Sequence, residues 1–437
     1  MSGTPTLQKT PKDQEPGGAS RTARGRLSFA KVLLIIAGAL LTLSVVREIV
    51  DQVASGQTPA FNNITSSGQI AAGLSMAVPI GLAGLGGLWA ERAGVVNIGL
   101  EGMMILGTFF GAWAGFQWGP WVGVLAGVLG GAVGGLVHAV ATVTFGVDHI
   151  ISGVAINILA LGATTYLAKR WFEPLSEEGG SPKQSPQVDD IQQFTVPGLS
   201  DWLADLEKHH WFLLSDLAGI LGGLVTDISA LTIVAIALFA GTFFVLWRTS
   251  FGLRLRSCGE NPIAAESLGV NVYFYKYAAV VTSGALAGLG GVFLALVRSH
   301  IYNEGQTGGR GYIGLAAMLF GNWRPGGLAM GAGLFGYSDA LQLRSGGTTV
   351  HALLLLLALG LLALAVWRLT RKEHVAATLS GLAAALLILW YAMTDSVPNE
   401  LVGATPYIVT LLVMALAAQR LRMPKANNKP YRRGQGT

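Results

Sequence analysis

The chain has 437 residues, of which 51% are hydrophobic and only 12% are charged. A soluble domain carries about 25% charged residues, so this composition excludes an ordinary water-exposed surface and indicates a membrane protein. The net charge of +5 does not indicate nucleic-acid binding, because the basic residues cluster at the ends of apolar segments. The single cysteine, Cys258, excludes an intrachain disulfide.

The hydropathy pattern predicts an all-α polytopic membrane protein with ten to twelve transmembrane helices. A helix needs about 20 apolar residues to cross a bilayer. After a polar tail at 1–30, the region 31–419 holds the spans. The piece 312–322 is too short to cross alone, which leaves a re-entrant hairpin with the next span or a short tilted helix. The predicted spans are 31–47, 67–90, 95–115, 119–145, 149–168, 229–247, 276–297, 326–343, 351–368, 376–394 and 404–419.

The distribution of basic residues predicts that both termini are cytoplasmic. With the N-terminus inside, most of the 29 Lys and Arg residues fall in cytoplasmic stretches or at the helix ends beside them. Lys and Arg are enriched in cytoplasmic loops, so the bias supports this orientation. It makes 1–30 a cytoplasmic tail, 169–226 an external loop, 248–275 a cytoplasmic loop and 420–437 a basic cytoplasmic tail.

The external loop 169–226 has two different halves. The first contains four prolines and several acidic residues, which predicts irregular structure. The second, from Leu199 to Leu217, mixes tryptophan and leucine with Asp and His, which predicts one short amphipathic helix. That helix would lie at the membrane interface or form a simple cap over the bundle.

Glycines at positions 123, 127, 131 and 135 recur every four residues. On a helix they form a smooth face of small residues that lets a neighbouring backbone approach closely. We therefore expect a tightly packed helix here, without chemistry of its own.

Asn97 and Glu101 are candidates for the solute pathway. Ionisable residues at membrane depth are costly and usually face a cavity or a partner. Four residues apart, the two side chains would share a face of a helix. Nearby glycines weaken a regular helix and let backbone polar groups line a cavity. The alternative is that Glu101 pairs with a charge such as Arg92 and only helps to fold the bundle.

Ser152 and Asn157 are the second pair of pathway candidates. Asp148 is expected to cap the start of their helix. The amide of Asn157 both donates and accepts hydrogen bonds, which suits a polar solute. An ordinary interhelical hydrogen bond is the alternative. His149 has no second His or Cys at ligand spacing nearby, so no metal site is predicted.

The cytoplasmic loop contains a predicted short amphipathic helix. Asn261 is a good N-cap, Pro262 suits the first helical position, and Gly269 suits the end. The helix would project from the membrane on the side where the basic residues lie, or the segment is an ordinary connector.

Several motifs are missing from the sequence. There is no G-x-x-x-x-G-K-[ST] phosphate loop, so we do not expect this chain to hydrolyse ATP. There is also no H-E-x-x-H or G-x-S-x-G motif, and no catalytic residues are predicted.

Three segments resemble the permeases of ABC importers for branched-chain amino acids, ribose-type sugars and nucleosides. The string Glu-Arg-Ala-Gly-Val-Val-Asn-Ile-Gly-Leu-Glu-Gly-Met-Met at 91–104 is similar to the nucleoside or simple-sugar branch. Gly-Glu-Asn-Pro-Ile-Ala-Ala-Glu-Ser-Leu-Gly at 259–269 looks like the coupling loop that docks on the ATPase. The run 309–325 is similar to the segment that follows it. The resemblance covers about 67–343, with 169–226 as an insertion.

This resemblance implies two half-pores around a central channel in the cytoplasmic membrane. It implies a second related permease, so that a heterodimer forms, a separate ATPase that binds the ATP, an external solute-binding lipoprotein, and contact with membrane lipid. In the general coupling motif a Glu precedes the two alanines, whereas here Ile263 stands there. Coupling roles are implied for Gly259, Glu260, Asn261, Pro262, Ala264, Ala265 and Gly269.

The expected function is therefore ATP-driven import of a small polar solute, either nucleosides or a simple sugar. The alternative is a self-sufficient secondary transporter that uses a proton gradient through Glu101 or Asp339.

Overall fold

The computed structural model describes residues 38, 41–46, 63–175, 184–209, 211, 213–344, 346–405, 408 and 421–434. The predicted tail at 1–30, most of the span at 31–47 and nearly all of the span at 404–419 lie outside these residues. Residues 41–46 are helical, in agreement with the predicted first span. Within the described ranges the chain is mostly helical, as the composition predicts.

The helices are numbered in chain order. Short π-helical turns, Val140–Thr144 and Leu294–Arg298, extend α3 and α10. Strands β1 (Gln193–Phe194) and β2 (Ile228–Ser229) form a small antiparallel ribbon. The helices are α1 Ser67–Arg92, α2 Leu100–Trp118, α3 Pro120–Ala139, α4 His149–Trp171, α5 Leu199–Lys208, α6 Leu214–Val225, α7 Ala230–Arg248, α8 Ser250–Glu260, α9 Pro262–Ser267, α10 Val272–Phe293, α11 Arg310–Phe320, α12 Pro325–Arg344, α13 Gly346–Thr370, α14 His374–Met393 and α15 Asn399–Gly403.

In the described ranges, seven helices are long and apolar enough to cross a membrane: α1, α3, α4, α7, α10, α13 and α14. Helices α2 and α12, with 19 and 20 residues, are as long but less apolar. Helix α11 has 11 residues. At 1.5 Å per residue it is about 16 Å long, roughly half of the 30 Å hydrocarbon core. The predicted total of ten to twelve spans stays a prediction.

Helices α1 and α10 are the most buried spans, and α2, α3, α11 and α12 pack around them. The predicted glycine face of α3 is confirmed as a packing surface. A Cβ atom on Gly131 would lie 2.3 Å from the carbonyl oxygen of Gly284, and one on Gly127 would lie 2.6 Å from that of Gly107. Only glycine permits these backbone approaches.

The two ends of α1 face different surroundings. Its C-terminal end meets α8, the turn between α11 and α12, and the segment 421–434, and we call this the basic end. Its N-terminal end meets α5 and α6, and we call this the opposite end. The basic end carries Arg92, Arg254, Arg256, Arg324 and Arg422. Its predicted cytoplasmic location stays a prediction.

The segment 169–226 is more helical than the sequence predicts. Helix α4 continues to Trp171, and the predicted single helix from Leu199 to Leu217 is wrong, because α5 and α6 are separated at Leu213, whose φ is 60°. Helix α6 packs on α1, where buried Asp216 accepts hydrogen bonds from Ser44 and Thr65, both at 2.6 Å. A cap over the bundle therefore fits better than a helix lying free at the interface.

The predicted short helix after Asn261 is confirmed. The Asn261 side chain accepts a hydrogen bond from the Ala264 N–H at 3.1 Å and caps α9, with Pro262 at the first position. Gly269 follows the helix with φ of 81°, in the left-handed region that favours glycine. The stretch before it, to which the sequence analysis assigned no helix, forms α8.

Candidate functional site at a helix junction

Asn97 does not lie on a helix with Glu101, contrary to the sequence prediction. Helix α1 ends at Arg92, Gly94 takes a φ of 83°, and α2 begins only at Leu100. Asn97 is fully buried in the non-helical link, where its Oδ1 accepts from the Gly99 N–H at 3.1 Å. Its Nδ2 donates to Ser283 Oγ on α10 at 2.9 Å. Asn97 therefore fixes the link against α10.

Glu101 caps helix α11. Its carboxylate accepts hydrogen bonds from the N–H groups of Gly309, at 2.9 Å, and Gly311, at 2.7 Å. These donors would otherwise have no intrahelical partner, and the helix dipole favours a negative charge at this position. The side chain is 7% exposed, so Glu101 faces protein and not lipid.

The alternative pairing of Glu101 with Arg92 does not occur. Arg92 donates instead to the Trp323 carbonyl oxygen, from Nε at 3.1 Å and from a terminal nitrogen at 2.5 Å. Asp339, the other carboxylate considered for proton coupling, forms an ion pair with Arg310 at 2.6 Å. Both carboxylates are therefore engaged in holding α11.

Asn157 joins α4 to both neighbouring helix starts. Its Oδ1 accepts from the Gly102 N–H at 2.7 Å, and its Nδ2 donates to the Ile98 carbonyl at 3.0 Å and to the Tyr312 hydroxyl at 2.8 Å. The amide thus uses both its donor and its acceptor within the protein, in agreement with the alternative of an interhelical hydrogen bond, and its pathway role stays a prediction. We call Asn97, Glu101, Asn157, Gly309 and Gly311 the junction.

The junction is packed at backbone contact. A Cβ atom on Gly311 would lie 2.6 Å from the Glu101 nitrogen, and one on Gly102 would lie 2.8 Å from the Ile156 carbonyl oxygen. Real Cβ atoms do not approach other atoms so closely, so both positions require glycine. Two helix starts and α4 therefore meet at one point.

Ser152 lies beside the junction rather than in it. Its hydroxyl lies 2.9 Å from Nδ1 of buried His138, and His138 Nε2 lies 3.0 Å from the Val96 carbonyl oxygen. The Val96 N–H donates to His149 Nδ1 at 3.2 Å. Sequence reasoning missed His138, because its partners Ser152 and Val96 lie 14 and 42 positions away along the chain. It also missed the Gly309 turn as the partner of Glu101, which lies 208 positions earlier.

The seven residues with predicted coupling roles divide by exposure. Gly259 and Ala265 are buried against the protein's own chain. Two apolar side chains are open here: Leu268, directly after α9, is 84% exposed, and Ile263, near the start of α9, is 43% exposed. Glu260, Asn261, Ala264 and Gly269 are exposed, and Pro262 is half-buried.

Among the described residues, no group of three His, Cys, Asp or Glu side chains is arranged to hold a metal ion.

The chain is similar to a known protein family over most of its length. Residues 69–366 match the family described as the branched-chain amino acid transport system permease component. The chain belongs to this family. It is therefore an integral membrane transport subunit, and its relatives are permeases rather than catalytic subunits.

Three relatives show how far the similarity extends. The guanosine ABC transporter permease NupQ of Bacillus subtilis is 34% identical over 374 residues, 84% of this chain and 96% of the relative. The nucleoside ABC transporter permease NupC of Lactococcus lactis is 30% identical over 82% of this chain and 94% of its own length. The putative glucose ABC transporter permease TsgC13 of Haloferax volcanii is 33% identical over 64% and 78%. No solved structure matches the chain.

Proposed function

We propose that this chain is a membrane-spanning subunit of an ATP-driven importer of nucleosides. The observation that carries the proposal is the similarity to a guanosine permease along 84% of this chain and nearly all of the relative. A simple sugar is the second candidate, because the putative glucose permease is 33% identical. That similarity covers only 64% of this chain, so we place nucleosides first.

The energy comes from a separate ATPase, because the sequence has no phosphate loop. We assign the docking contact to α9 at the basic end, which we take to be cytoplasmic. Ile263 near the start of α9 and Leu268 directly after its end are exposed to solvent, and exposed apolar side chains suit insertion into a groove of another protein. Asn261, Pro262 and Gly269 shape the helix, Glu260 and Ala264 flank its exposed face, and Gly259 and Ala265 anchor it to the bundle.

The junction borders the solute pathway in this proposal. Helix α11 reaches about 16 Å from the basic end, so its N-terminus lies near half of the membrane depth. Broken helices at that depth commonly form transporter binding sites. Asn97, Glu101 and Ser152 hold in place the segments that form the wall of this pathway. Asn157 holds the Tyr312 hydroxyl, and the half-exposed Tyr312 ring offers a stacking surface that suits a neutral nucleoside.

Three further contacts complete the proposal. A second, related permease supplies the other half of the channel, and a solute-binding lipoprotein delivers the solute at the opposite end. The outward faces of α3, α4, α13 and α14 carry exposed leucine and isoleucine, which suit lipid or the second permease.

Deleting the gene and measuring uptake of labelled guanosine, uridine and glucose tests the substrate class. We expect loss of nucleoside uptake, restored by the intact gene, with glucose uptake unchanged. Selective loss of glucose uptake would instead establish the sugar candidate. Unchanged uptake of all three solutes would refute both.

The docking contact needs its own test. Leu268→Asp places a charge on the exposed residue that directly follows α9, and we expect loss of the ATPase on co-purification without loss of membrane insertion. Met423→Asp is the matched control, because Met423 is 56% exposed at the same end but lies outside α9. Retention of the ATPase by the Leu268 variant would show that docking occurs elsewhere.

A further inference from the structure

The described C-terminal segment, 421–434, folds back against the basic end. The Ala426 N–H donates to the carbonyl oxygen of Gly259 at 2.9 Å, and the Arg422 N–H donates to Asn322 Oδ1 at 2.8 Å. Ala426, Asn427 and Tyr431 are all less than 10% exposed. If this basic segment acted only through its positive charge, these three residues would not need to be buried.

The centre of this contact is the buried carboxylate of Glu91, at the end of α1. Its Oε2 accepts from the Trp323 indole N–H at 2.6 Å and from Asn427 Nδ2 at 2.9 Å. Glu91 and Asn427 are each 5% exposed, and Trp323 is 1% exposed. Asn427 Oδ1 is buried without a hydrogen-bond partner among the described residues, so the amide is held through donation to Glu91.

The rest of the segment contacts the neighbouring elements. The Tyr431 ring packs on Tyr273 at the start of α10, with ring centres 5.6 Å apart. Lys276 Nζ lies 5.9 Å from the centre of the Tyr431 ring. Arg433 lies 3.6 Å from Glu266 on α9. One short segment thus bridges α1, α8, α9, α10 and the turn after α11.

These bridged elements lead directly to the junction. Helix α1 continues into the link that holds Asn97, and Trp323 follows α11, whose other end is capped by Glu101. A displacement of α8 and α9 therefore reaches both sides of the junction through the same contact. Helix α11 is only 11 residues long, so it can shift as one rigid piece.

We propose that segment 421–434 is a clasp that transmits movement of α8 and α9 to α1 and α11, with Asn427 as its positioning residue. The proposal rests on the proposed function, since it takes α9 as the site where the ATPase acts. The clasp itself does not contact the solute or ATP in this scheme. It determines how much of the ATPase movement reaches the junction.

Four variants separate the clasp from simple folding effects. Asn427→Asp sets a second carboxylate beside Glu91, and the two charges repel. Asn427→Leu removes the donor without adding charge. The exchange Glu91→Gln with Asn427→Asp restores a donor and an acceptor on opposite partners. Lys429→Ala is the matched control, because Lys429 is exposed in the same segment.

The decisive measurement is the ratio of guanosine taken up to ATP hydrolysed. It is made in proteoliposomes that contain the purified assembly of both permeases, the ATPase and the binding protein. We expect Asn427→Asp to lower this ratio about tenfold, as loss of a charge-assisted hydrogen bond allows, with the ATPase still bound and hydrolysing. Asn427→Leu should lower it less. The exchange should recover at least half of it, and the Lys429 variant should match wild type.

A second readout tests the clasp without the solute. An epitope tag after residue 437 should be released by chymotrypsin, which cleaves after the buried Tyr431, faster in the Asn427→Asp variant than in the Lys429 variant, and the exchange should slow release again. Equal release in all variants would overturn the clasp. If uptake and hydrolysis fall by the same factor, the variant weakens docking of the ATPase instead, and the proposed transmission of movement is overturned. It is also overturned if neither rate falls.

If wild-type protein fails to take up guanosine, the proposed function is wrong and the tag release alone decides whether the clasp exists. If the Asn427→Asp variant does not insert, the Asn427→Leu variant decides. An unchanged ratio and unchanged tag release in that variant would overturn the proposal.

Discussion

Two buried glutamates, ten positions apart, stand on either side of the break between α1 and α2. Glu101 is 7% exposed and Glu91 is 5% exposed, and each carboxylate accepts two hydrogen bonds. They differ in the donors. Glu101 binds two backbone N–H groups at the start of α11, whereas Glu91 binds the side chains of Trp323 and Asn427.

Because of this difference, the contact at Glu101 does not depend on which side chains its donors carry, whereas the contact at Glu91 does. Backbone donors exist wherever α11 begins, so Glu101 is satisfied once the helices pack. Side-chain donors depend on residue identity, and one of those at Glu91 comes from a segment 336 positions away. The junction is therefore part of the bundle itself, while the clasp can be altered with the bundle intact.

Gly311→Ala should have the largest effect, because it breaks the junction at the backbone. The new Cβ atom would lie 2.6 Å from the Glu101 nitrogen and 2.7 Å from its Cα, and these backbone atoms cannot move aside as a side chain could. We expect a loss of about 3 kcal/mol or more in unfolding free energy, measured in detergent. Gly333→Ala, in α12 with no atom within 4 Å of the new Cβ, is the control and should be neutral or slightly stabilising. Equal stability of the two variants would refute close packing at the junction.

Glu101→Leu removes the acceptor and leaves the buried N–H of Gly311 and the partly buried N–H of Gly309 without their partner. We expect a destabilisation of about 2–3 kcal/mol. Glu101→Gln keeps one carbonyl acceptor and should cost about 1 kcal/mol. Because nucleosides are neutral, uptake should also fall less with Gln than with Leu. A Leu variant with wild-type stability and uptake would contradict both the capping role and the pathway role.

Trp323→Phe tests the corresponding contact at Glu91. It keeps most of the buried ring but removes one side-chain donor, so we expect a loss of about 1–2 kcal/mol, smaller than for Glu101→Leu. The Trp323 carbonyl oxygen still accepts from Arg92 in this variant. Thermal unfolding compared with wild type measures the effect. A loss larger than that of Glu101→Leu would reverse the proposed order of the two contacts.

Cysteine labelling reports whether the basic end is accessible to solvent. We expect the substitutions it requires to leave the free energy of unfolding unchanged. Cys258 is fully buried, and burial raises the pKa of its thiol to about 11. The thiolate is the reactive form, so Cys258 should react slowly with maleimide at pH 7 and faster as the pH rises toward 11. Ser267→Cys in a Cys258→Ser background places a thiol on exposed α9 and should react quickly.

An impermeant maleimide then distinguishes the two ends of the bundle. Applied to intact cells, it should label Thr195→Cys at the opposite end and leave Ser267→Cys unlabelled. Labelling of the Ser267 variant from outside would place the basic end outside the cell and refute the predicted orientation.

Much of the fold was predictable, because its signals are local. Apolar segments located α1, α7 and α10 to within a few residues, and the capping pattern of Asn261, Pro262 and Gly269 located α9. The resemblance in 91–104 and 259–269 pointed to the permease family that the comparison establishes. The late start of α2 was not predictable, because Val95, Val96 and Ile98 continue the apolar pattern into the link. The division between α5 and α6 was not predictable either, because it depends on a positive φ at Leu213, a conformation that leucine rarely adopts.

The sequence by itself determined that this is a helical membrane protein, since hydropathy, glycine spacing and capping act over a few neighbouring residues, and its resemblance to a permease family pointed to a transport subunit. Only the tertiary structure decided what the polar residues do. Glu101 meets its donors 208 and 210 positions away, and Glu91 meets Asn427 336 positions away. No local pattern encodes such pairs, because a buried carboxylate takes whichever donors the packed helices bring to it.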